Sequence, residues 1–233
     1  MPWPRKAIRP AVAARLLSVH AGRIAPLGPE HVPSGFVKQA VAGVVAVAPL
    51  GLEGDEQADL SVHGGPEKAV YGYAADHYDA WSAEFPEHRP LLTGGGMGEN
   101  LSIADMDEAA LCVGDVHAIG TAVLQVCQPR QPCFKFALRY DDNRMPKAMV
   151  RSGRSGWYYR VLTPGHIRAG DAVERRARPN PDFSFARLVE IVNFGDATAK
   201  ELARLAEMDG VARRLQVRAR QALRGDAPAS SEW

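Results

Sequence analysis

The chain has 233 residues, a formal net charge of +1 and 46% apolar residues. These values are typical of one globular domain, or of one domain with a small appendage, and they exclude a disordered chain. The near-neutral charge argues against nucleic-acid or membrane-surface partners, and the longest apolar run, residues 40–52, is too short to span a membrane. Three cysteines without a pairing pattern favour a reducing, cytoplasmic location.

Residues 13–178 are predicted to form many short β-strands. The β-prone runs are separated by glycine and proline turns, and the first of them is "ARLLSVHAG". Gly120-Thr121 and Pro164-Gly165 mark turns between later strands. This pattern favours a mainly β barrel or sandwich over alternating βαβ units. One helix interrupts it at residues 74–85, where aromatic residues on one face indicate core packing.

Residues 182–225 are predicted to form a small three-helix domain beyond a proline-marked boundary. Ser184 is a plausible N-cap of the first helix and Gly195 its stop, and Asp196 is a candidate cap for the second. The segments outside both domains, residues 1–12 and 226–233, are predicted to be loose termini.

The third helix of this domain is rich in arginine, a composition that could indicate nucleic-acid binding. Its arginines are Arg213, Arg214, Arg218, Arg220 and Arg224. Residues 182–233 nevertheless contain as many acidic as basic side chains, so the segment is neutral. A solvated helix face is therefore favoured over a DNA-reading helix.

Cys133 differs from the other two cysteines because it lies in a basic, proline-rich stretch, "QPRQPCFK". Cys112 and Cys127 adjoin apolar runs and are expected to be small buried side chains. Arg130 and Lys135 lie close to Cys133, and nearby cations favour the thiolate, the form of cysteine that binds metals and attacks electrophiles. The sequence thus predicts a reactive or metal-binding thiolate at Cys133.

Other roles for Cys133 are a buried structural cysteine and a catalytic nucleophile paired with a histidine. The second would need a histidine brought across the fold, which one sequence does not show. Zinc binding is disfavoured because Cys127 and Cys133 are separated by five residues and no CxxC or HxxxH pair accompanies them.

Two glycine-rich turns are candidate binding loops. In the first, "HGGPEK", Gly64 and Gly65 follow His63, and Lys68 comes shortly after. Glycines allow backbone N–H groups to approach an anion, and a lysine adds positive charge, although a plain surface turn has the same pattern. In the second, "TGGGMGEN", glycines precede Glu99-Asn100, which favours a loop over a ligand or a long hairpin end.

The order of these motifs resembles the MOSC family, named for the C-terminal domain of molybdenum-cofactor sulfurase. The resemblance rests on "GLEGDEQAD", "HGG", "KAVYGY", the "GxGEN" loop and "QPRQPCFK", in that order. "SGRSGWYYRVL" and the three-helix tail look like the YiiM-like subgroup of this family. The resemblance extends over almost the whole chain.

The resemblance implies a β-barrel-like core and a bound molybdenum cofactor of the molybdopterin type. In that case Cys133 provides a thiolate ligand to molybdenum, which suits a thiophilic metal. Arg130 and Lys68 would then contact the phosphate of the pterin. Gly64, Gly65 and Asn100 belong to the loops that would approach the cofactor through their backbone.

The implied activity is the reduction of N-hydroxylated small molecules such as hydroxylaminopurines. His63 and Glu99 are candidate proton donors, and electrons would come from a separate reductase because no flavin, haem or iron–sulfur motif is present. The alternative is a protein that carries the cofactor or sulfur on Cys133 without turnover. A thiol-dependent regulator that uses the last helix is disfavoured by the neutral charge of that segment. The sequence does not indicate the oligomeric state.

Overall fold

A computed structural model describes residues 14–60 and 63–226 of the chain. The termini predicted to be loose, residues 1–12 and 226–233, lie outside the described residues except for Asp226. Within this part, no helix is long and apolar enough to cross a membrane.

Thirteen strands are present in the described residues. They are β1 (Arg15–Ala21), β2 (Ala25–Leu27), β3 (Val32–Ser34), β4 (Gln39–Ala40), β5 (Val45–Ala48), β6 (Gly51–Leu52), β7 (Val70–Ala74), β8 (Leu101–Ala104), β9 (Val116–Ile119), β10 (Ala122–Pro129), β11 (Trp157–Thr163), β12 (Gly165–Ile167) and β13 (Val173–Ala177). The strand in "ARLLSVHAG" and the turns at residues 120–121 and 164–165 are therefore confirmed.

Eight strands form one mixed sheet in the order β13-β9-β10-β11-β7-β8-β1-β4. Adjacent strands of this sheet are antiparallel except β7 and β8. The parallel pairing of these two requires a crossover connection, which residues 75–100 form. The predicted barrel is wrong, because this ladder is not a closed barrel. One antiparallel bridge, Arg15 to Ala172, joins β1 to the segment before β13 but does not close the sheet. Turn signals show where strands end, not whether a sheet closes.

Six α-helices accompany the sheets within residues 14–60 and 63–226, so the fold is α/β rather than mainly β. They are α1 (His77–Glu84), α2 (Phe134–Tyr140), α3 (Arg144–Ser152), α4 (Phe185–Phe194), α5 (Ala199–Glu207) and α6 (Arg213–Leu223). The helix predicted at residues 74–85 is confirmed as α1, and Tyr78, Trp81 and Phe85 are buried as expected.

The three predicted C-terminal helices are present as α4, α5 and α6. Ser184 caps α4 by accepting a hydrogen bond from the N–H of Arg187, and Gly195 ends it with a positive φ. The cap predicted at Asp196 is wrong. Thr198 caps α5 instead, in a capping box with Glu201 that satisfies backbone donors at both residues.

The buried apolar side chains divide into two clusters. The larger includes the sheet and the C-terminal helices together, so Leu188 and Leu205 share a core with Leu124. The smaller is aromatic, includes Phe36 and Phe136, and lies against the β10–α2 junction. The second cluster forms the floor on which the candidate site is built.

Candidate functional site

A cleft of about 600 Å³, counted with its open mouth, lies where β7, β11 and the β10–α2 junction meet. It is lined by two chain segments, 34–38 and 55–58, and by side chains from several further elements. The chemically active side chains among its walls are Lys38, Asp55, His63, Lys68, Tyr71, Asn100, Arg130, Cys133, Lys135 and Tyr158. Five of the eight residues predicted from the sequence therefore meet in one cleft.

Cys133 occupies the position immediately before α2, after the last residue of β10, Pro129. Its backbone is extended, and its carbonyl accepts the hydrogen bond from the N–H of Phe136 that begins the helix. Pro132 restricts the preceding backbone to one region of φ. The side chain is partly exposed. Because the backbone around it is restricted, the sulfur is held at a fixed position in the wall of the cleft.

The thiol of Cys133 is poised to ionise near neutral pH. Burial opposes ionisation, but the hydrogen bond with His63, the charge of Arg130 and the backbone N–H of Lys135 outweigh it and lower its pKa to about 7. At Cys127 no other contact outweighs burial, which raises the pKa to about 12. Burial also raises the pKa of Cys112. Cys133 alone of the three cysteines is suited to act as a thiolate.

Arg130 is a buried cation that stacks against aromatic rings. Its guanidinium carbon lies 5.1 Å from the ring centroid of Phe36, 5.2 Å from that of Tyr71 and 5.3 Å from that of Phe136. Burial disfavours its charge, but Tyr71, Tyr158 and Cys133 more than compensate and raise the pKa of Arg130. Among the described residues, no carboxylate forms an ion pair with it, and buried charges are ordinarily paired.

Lys38, which the sequence did not single out, lies in the wall of the cleft and forms an ion pair with Asp55. The carboxylate of Asp55 also accepts hydrogen bonds from the N–H of Gly22 at 2.9 Å and from Nδ2 of Asn100 at 2.9 Å. Burial lowers the pKa of Lys38, and Asp55 acts against that effect. A carboxylate therefore balances the charge of Lys38, whereas no carboxylate of the described residues pairs with Arg130.

Asn100 lines the cleft, but its side chain is committed to the fold. Its Oδ1 accepts a hydrogen bond from the N–H of Tyr71 at 3.0 Å, and its Nδ2 donates to the carbonyl of His20 at 3.2 Å and to Asp55. The structure therefore assigns Asn100 the task of positioning Tyr71 and Asp55.

The glycine turn places the side chains of His63 and Lys68 in the wall of the cleft. Gly64 and Gly65 themselves do not line the cleft. Gly65 has φ of +93°, a conformation that other residues adopt only with strain, and its carbonyl accepts the N–H of Lys68. The Lys68 ammonium lies 5.9 Å from the ring centroid of Tyr158. Burial, followed by the charge of Arg214, lowers the pKa of Lys68 to about 8.

Glu99 is fully buried and is not part of the cleft wall. Its carboxylate accepts hydrogen bonds from Tyr78 Oη at 2.7 Å, Ser102 Oγ at 2.6 Å, and the N–H groups of Gly95 at 2.8 Å and Met97 at 3.1 Å. These four donors hold the "GxGEN" loop in shape. Its position does not support the predicted role of proton donor, and His63 is the predicted donor that does face Cys133.

The C-terminal helices reach the edge of the cleft, which the sequence interpretation did not anticipate. The carboxylate of Glu67 accepts the N–H of Arg213, the first residue of α6, at 2.9 and 3.1 Å, and pairs with Arg160 Nη2 at 2.8 Å. The prediction that the arginines of α6 face solvent fits Arg213, which is exposed. Arg214 is only half-exposed. Helix α6 is therefore fastened to the turn that presents Lys68.

Four chemically active residues of the cleft escaped the sequence interpretation because no local pattern marks them: Lys38, Asp55, Tyr71 and Tyr158. Tyr71 and Tyr158 read as ordinary members of β-prone runs, and the pairing of β7 with β11 brings them opposite each other. Asp55 lies within the quoted run "GLEGDEQAD", but only the fold shows that it faces Lys38.

The chain is similar to several known proteins. A family model described as "MOSC domain" matches residues 59–174. Protein YiiM of Escherichia coli is 40% identical over 162 residues, which cover 70% of this chain and 72% of YiiM. A protein of Gibberella moniliformis named "Reductase" is 39% identical over 196 residues, 83% of this chain but only 35% of that longer protein.

A solved structure has the same fold. YiiM from Geobacillus stearothermophilus superposes with a TM-score of 0.76 at 28% sequence identity, covering 90% of this chain and 99% of that one. The shared region includes the sheet and the C-terminal helices, since little of either chain is left uncovered.

Proposed function

Because this chain belongs to the MOSC domain family, whose domains are associated with the molybdenum cofactor, we propose that its cleft binds a cofactor of the molybdopterin type. The thiolate of Cys133 is the proposed ligand to molybdenum. The observation that supports this most strongly is a thiol with a pKa of about 7 in the wall of a cleft rich in cations.

The residues of the cleft fit such a group. A thiolate is a soft ligand and suits molybdenum. The cofactor is anionic, and Arg130 is a buried guanidinium that no carboxylate of the described residues neutralises. Lys68 adds a second cation on the same wall. We assign Cys133 to the metal, and Arg130 with Lys68 to the phosphate of the cofactor.

The proposed reaction is the reduction of an N-hydroxylated small molecule. The N–O bond breaks, two electrons and two protons are consumed, and the oxygen leaves as water while the nitrogen gains a hydrogen. When bound, the molybdenum cofactor supplies two-electron redox chemistry with oxygen transfer. The proposed source of the electrons is a separate reductase.

The chain's own residues bind, orient and supply a proton. His63 lines the cleft and contacts the Cys133 sulfur, so it is the proposed donor of a proton to the departing oxygen. Tyr71 and Tyr158 place aromatic rings in the wall of the cleft. The relative named "Reductase" supports a reductase over other classes of enzyme.

The test compares the full chain purified from a host that makes molybdenum cofactor with the chain from a host that cannot. Molybdenum content is measured first, and then the reduction of a hydroxylaminopurine by a reduced low-potential dye. A reductase shows near-stoichiometric metal and many turnovers, both absent from the deficient host. Metal with at most one equivalent of product identifies a carrier instead, and no molybdenum from the competent host refutes both functions.

A further inference from the structure

Helix α6 presents two arginines beside the cleft that the proposed function does not use. Arg214 and Arg218 are one helical turn apart and are half-buried. Nη2 of Arg214 donates to Oε1 of Gln131 at 2.6 Å. Gln131 lies between Arg130 and Cys133 in the chain, so this contact joins the arginine-rich face of α6 to the cysteine loop.

Lys68 links these arginines to the cleft. Burial and then the charge of Arg214 lower the pKa of Lys68, while burial and then the charge of Arg218 lower the pKa of Arg214. In each case the second cause, after burial, is a like charge nearby. Three cations that repel one another have been gathered on one side of Cys133, an arrangement that favours the binding of an anion.

Glu67 is an acidic side chain whose charge acts on Lys68 and Arg214, but it has other partners as well. Glu67 pairs with Arg160 and accepts the backbone N–H of Arg213. Nη1 of Arg218 is buried and has no hydrogen-bond partner within residues 14–60 and 63–226. A buried N–H donor without an acceptor is destabilising, and a phosphate oxygen would satisfy it.

We propose that Arg214 and Arg218 extend the wall of cations that Lys68 begins in the cleft, and that the three together form an anion subsite that binds a phosphate group. Arginine suits this role because its planar guanidinium donates two parallel hydrogen bonds to phosphate oxygens. The phosphate belongs either to the cofactor or to the substrate, which would then be an N-hydroxylated nucleotide rather than a free base. Only this choice of source rests on the proposed function; the subsite itself does not.

The test measures the binding of inorganic phosphate by calorimetry to the full chain from a host without molybdenum cofactor. The double variant Arg214→Gln/Arg218→Gln should bind phosphate at least about tenfold more weakly, because two charge-assisted contacts are removed. Arg214→Lys/Arg218→Lys keeps the charge and should recover part of the affinity, and circular dichroism checks that both variants fold.

The matched control is Arg220→Gln on the same helix, whose guanidinium pairs with Glu207 and the carbonyl of Ala206. It should leave phosphate affinity unchanged. Equal phosphate affinity of the wild-type chain and the double variant Arg214→Gln/Arg218→Gln overturns the proposal.

Two further measurements identify the source of the phosphate. If it is the substrate's, AMP binds at least about tenfold more tightly than adenosine to the wild-type chain, and the double variant loses this preference. If it is the cofactor's, AMP and adenosine bind alike, and the double variant purified from a cofactor-making host contains less molybdenum. All these readouts are binding measurements, so they hold even if the chain proves not to be a reductase.

Discussion

The buried charge of Arg130 in the cleft is compensated differently from that of two acids buried outside the cleft. Each of these acids has a partner: Glu108 contacts His77 Nε2 at 2.7 Å and accepts the N–H of Gly156 at 2.6 Å. Asp115 likewise pairs with Arg178 at 2.7 Å. In the cleft, Arg130 is buried without an ion-pair partner among the described residues and lies near a thiol.

This difference separates stabilisation of the fold from function. A buried acid with complete hydrogen bonding fixes local structure, and its removal leaves unpaired groups. A buried cation whose local countercharge is a thiolate is instead suited to a ligand that brings negative charge. Mutations in the two regions are therefore expected to have opposite consequences for stability and for cofactor binding.

The largest expected effect is at the thiolate. Cys133→Ser should lose bound molybdenum and reductase activity completely while the chain still folds, because a serine hydroxyl does not ionise near neutral pH. Cys112→Ser and Cys127→Ser are the matched controls and should keep both properties. Metal analysis of the three purified variants is the measurement, and equal molybdenum in all three contradicts the assignment of the ligand.

Outside the cleft, Glu108→Ala should lower the free energy of unfolding by about 3–5 kcal/mol, because it leaves His77 and the N–H of Gly156 without their partner. Urea denaturation measures this. Glu190→Ala removes a partly exposed acid that pairs with Arg187 and should change stability by less than about 1 kcal/mol. A loss below 1 kcal/mol for Glu108→Ala would remove the contrast between the two regions.

In the cleft, Arg130→Met should reduce cofactor occupancy by about one to two orders of magnitude at limiting cofactor, since a charge-assisted contact contributes about 1.5–3 kcal/mol. The methionine can pack against the same aromatic rings, so the free energy of unfolding should change little or rise. Arg151→Met, which removes a surface pair with Glu84, is the control and should retain the cofactor. If the Arg130→Met chain were strongly destabilised but bound the cofactor normally, Arg130 would stabilise the fold and not bind the cofactor.

The sequence identified the centre of the site because its signals are local. Cys133, Arg130 and the prolines between and around them lie within one short stretch, which supplies part of the environment of the thiol, and His63 supplies the rest. His63 and Lys68 were found through the glycine turn that precedes them. Their meeting with Cys133 depends on tertiary structure, and only the resemblance to a known family suggested it.

The predictions that were wrong or unsupported concern arrangements that a local pattern does not determine. Turn spacing fits an open mixed sheet as well as a barrel, so closure could not be predicted. Glu99 follows glycines with positive φ at Gly95 and Gly98, and these fold its carboxylate back onto the N–H groups of its own loop. Lys38 and Tyr158 join the cleft from distant segments through strand pairing. Whether residues 182–225 fold as a separate domain stays a prediction.

The smallest expected effect, about tenfold, is in the reactivity of Cys133 toward iodoacetamide in the cofactor-free chain. With a pKa of about 7, roughly one tenth of the thiol is ionised at pH 6 and roughly nine tenths at pH 8, so the labelling rate should rise about tenfold and then level off. An ordinary thiol would continue to gain reactivity above pH 8. Peptide mapping after labelling distinguishes Cys133 from the two buried cysteines, which should remain unmodified.

The direction of the shift in two variants shows what sets this pKa. His63→Gln weakens the contact that favours the thiolate, and Arg130→Met removes a positive charge, so both should move the midpoint of labelling to higher pH. Arg151→Met should not move it, because that cation lies at the surface and pairs with Glu84. A wild-type midpoint near that of a free thiol, unmoved by either cleft variant, would show that the cations of the cleft do not act on Cys133. The contrast between the two regions would then rest on Arg130 alone.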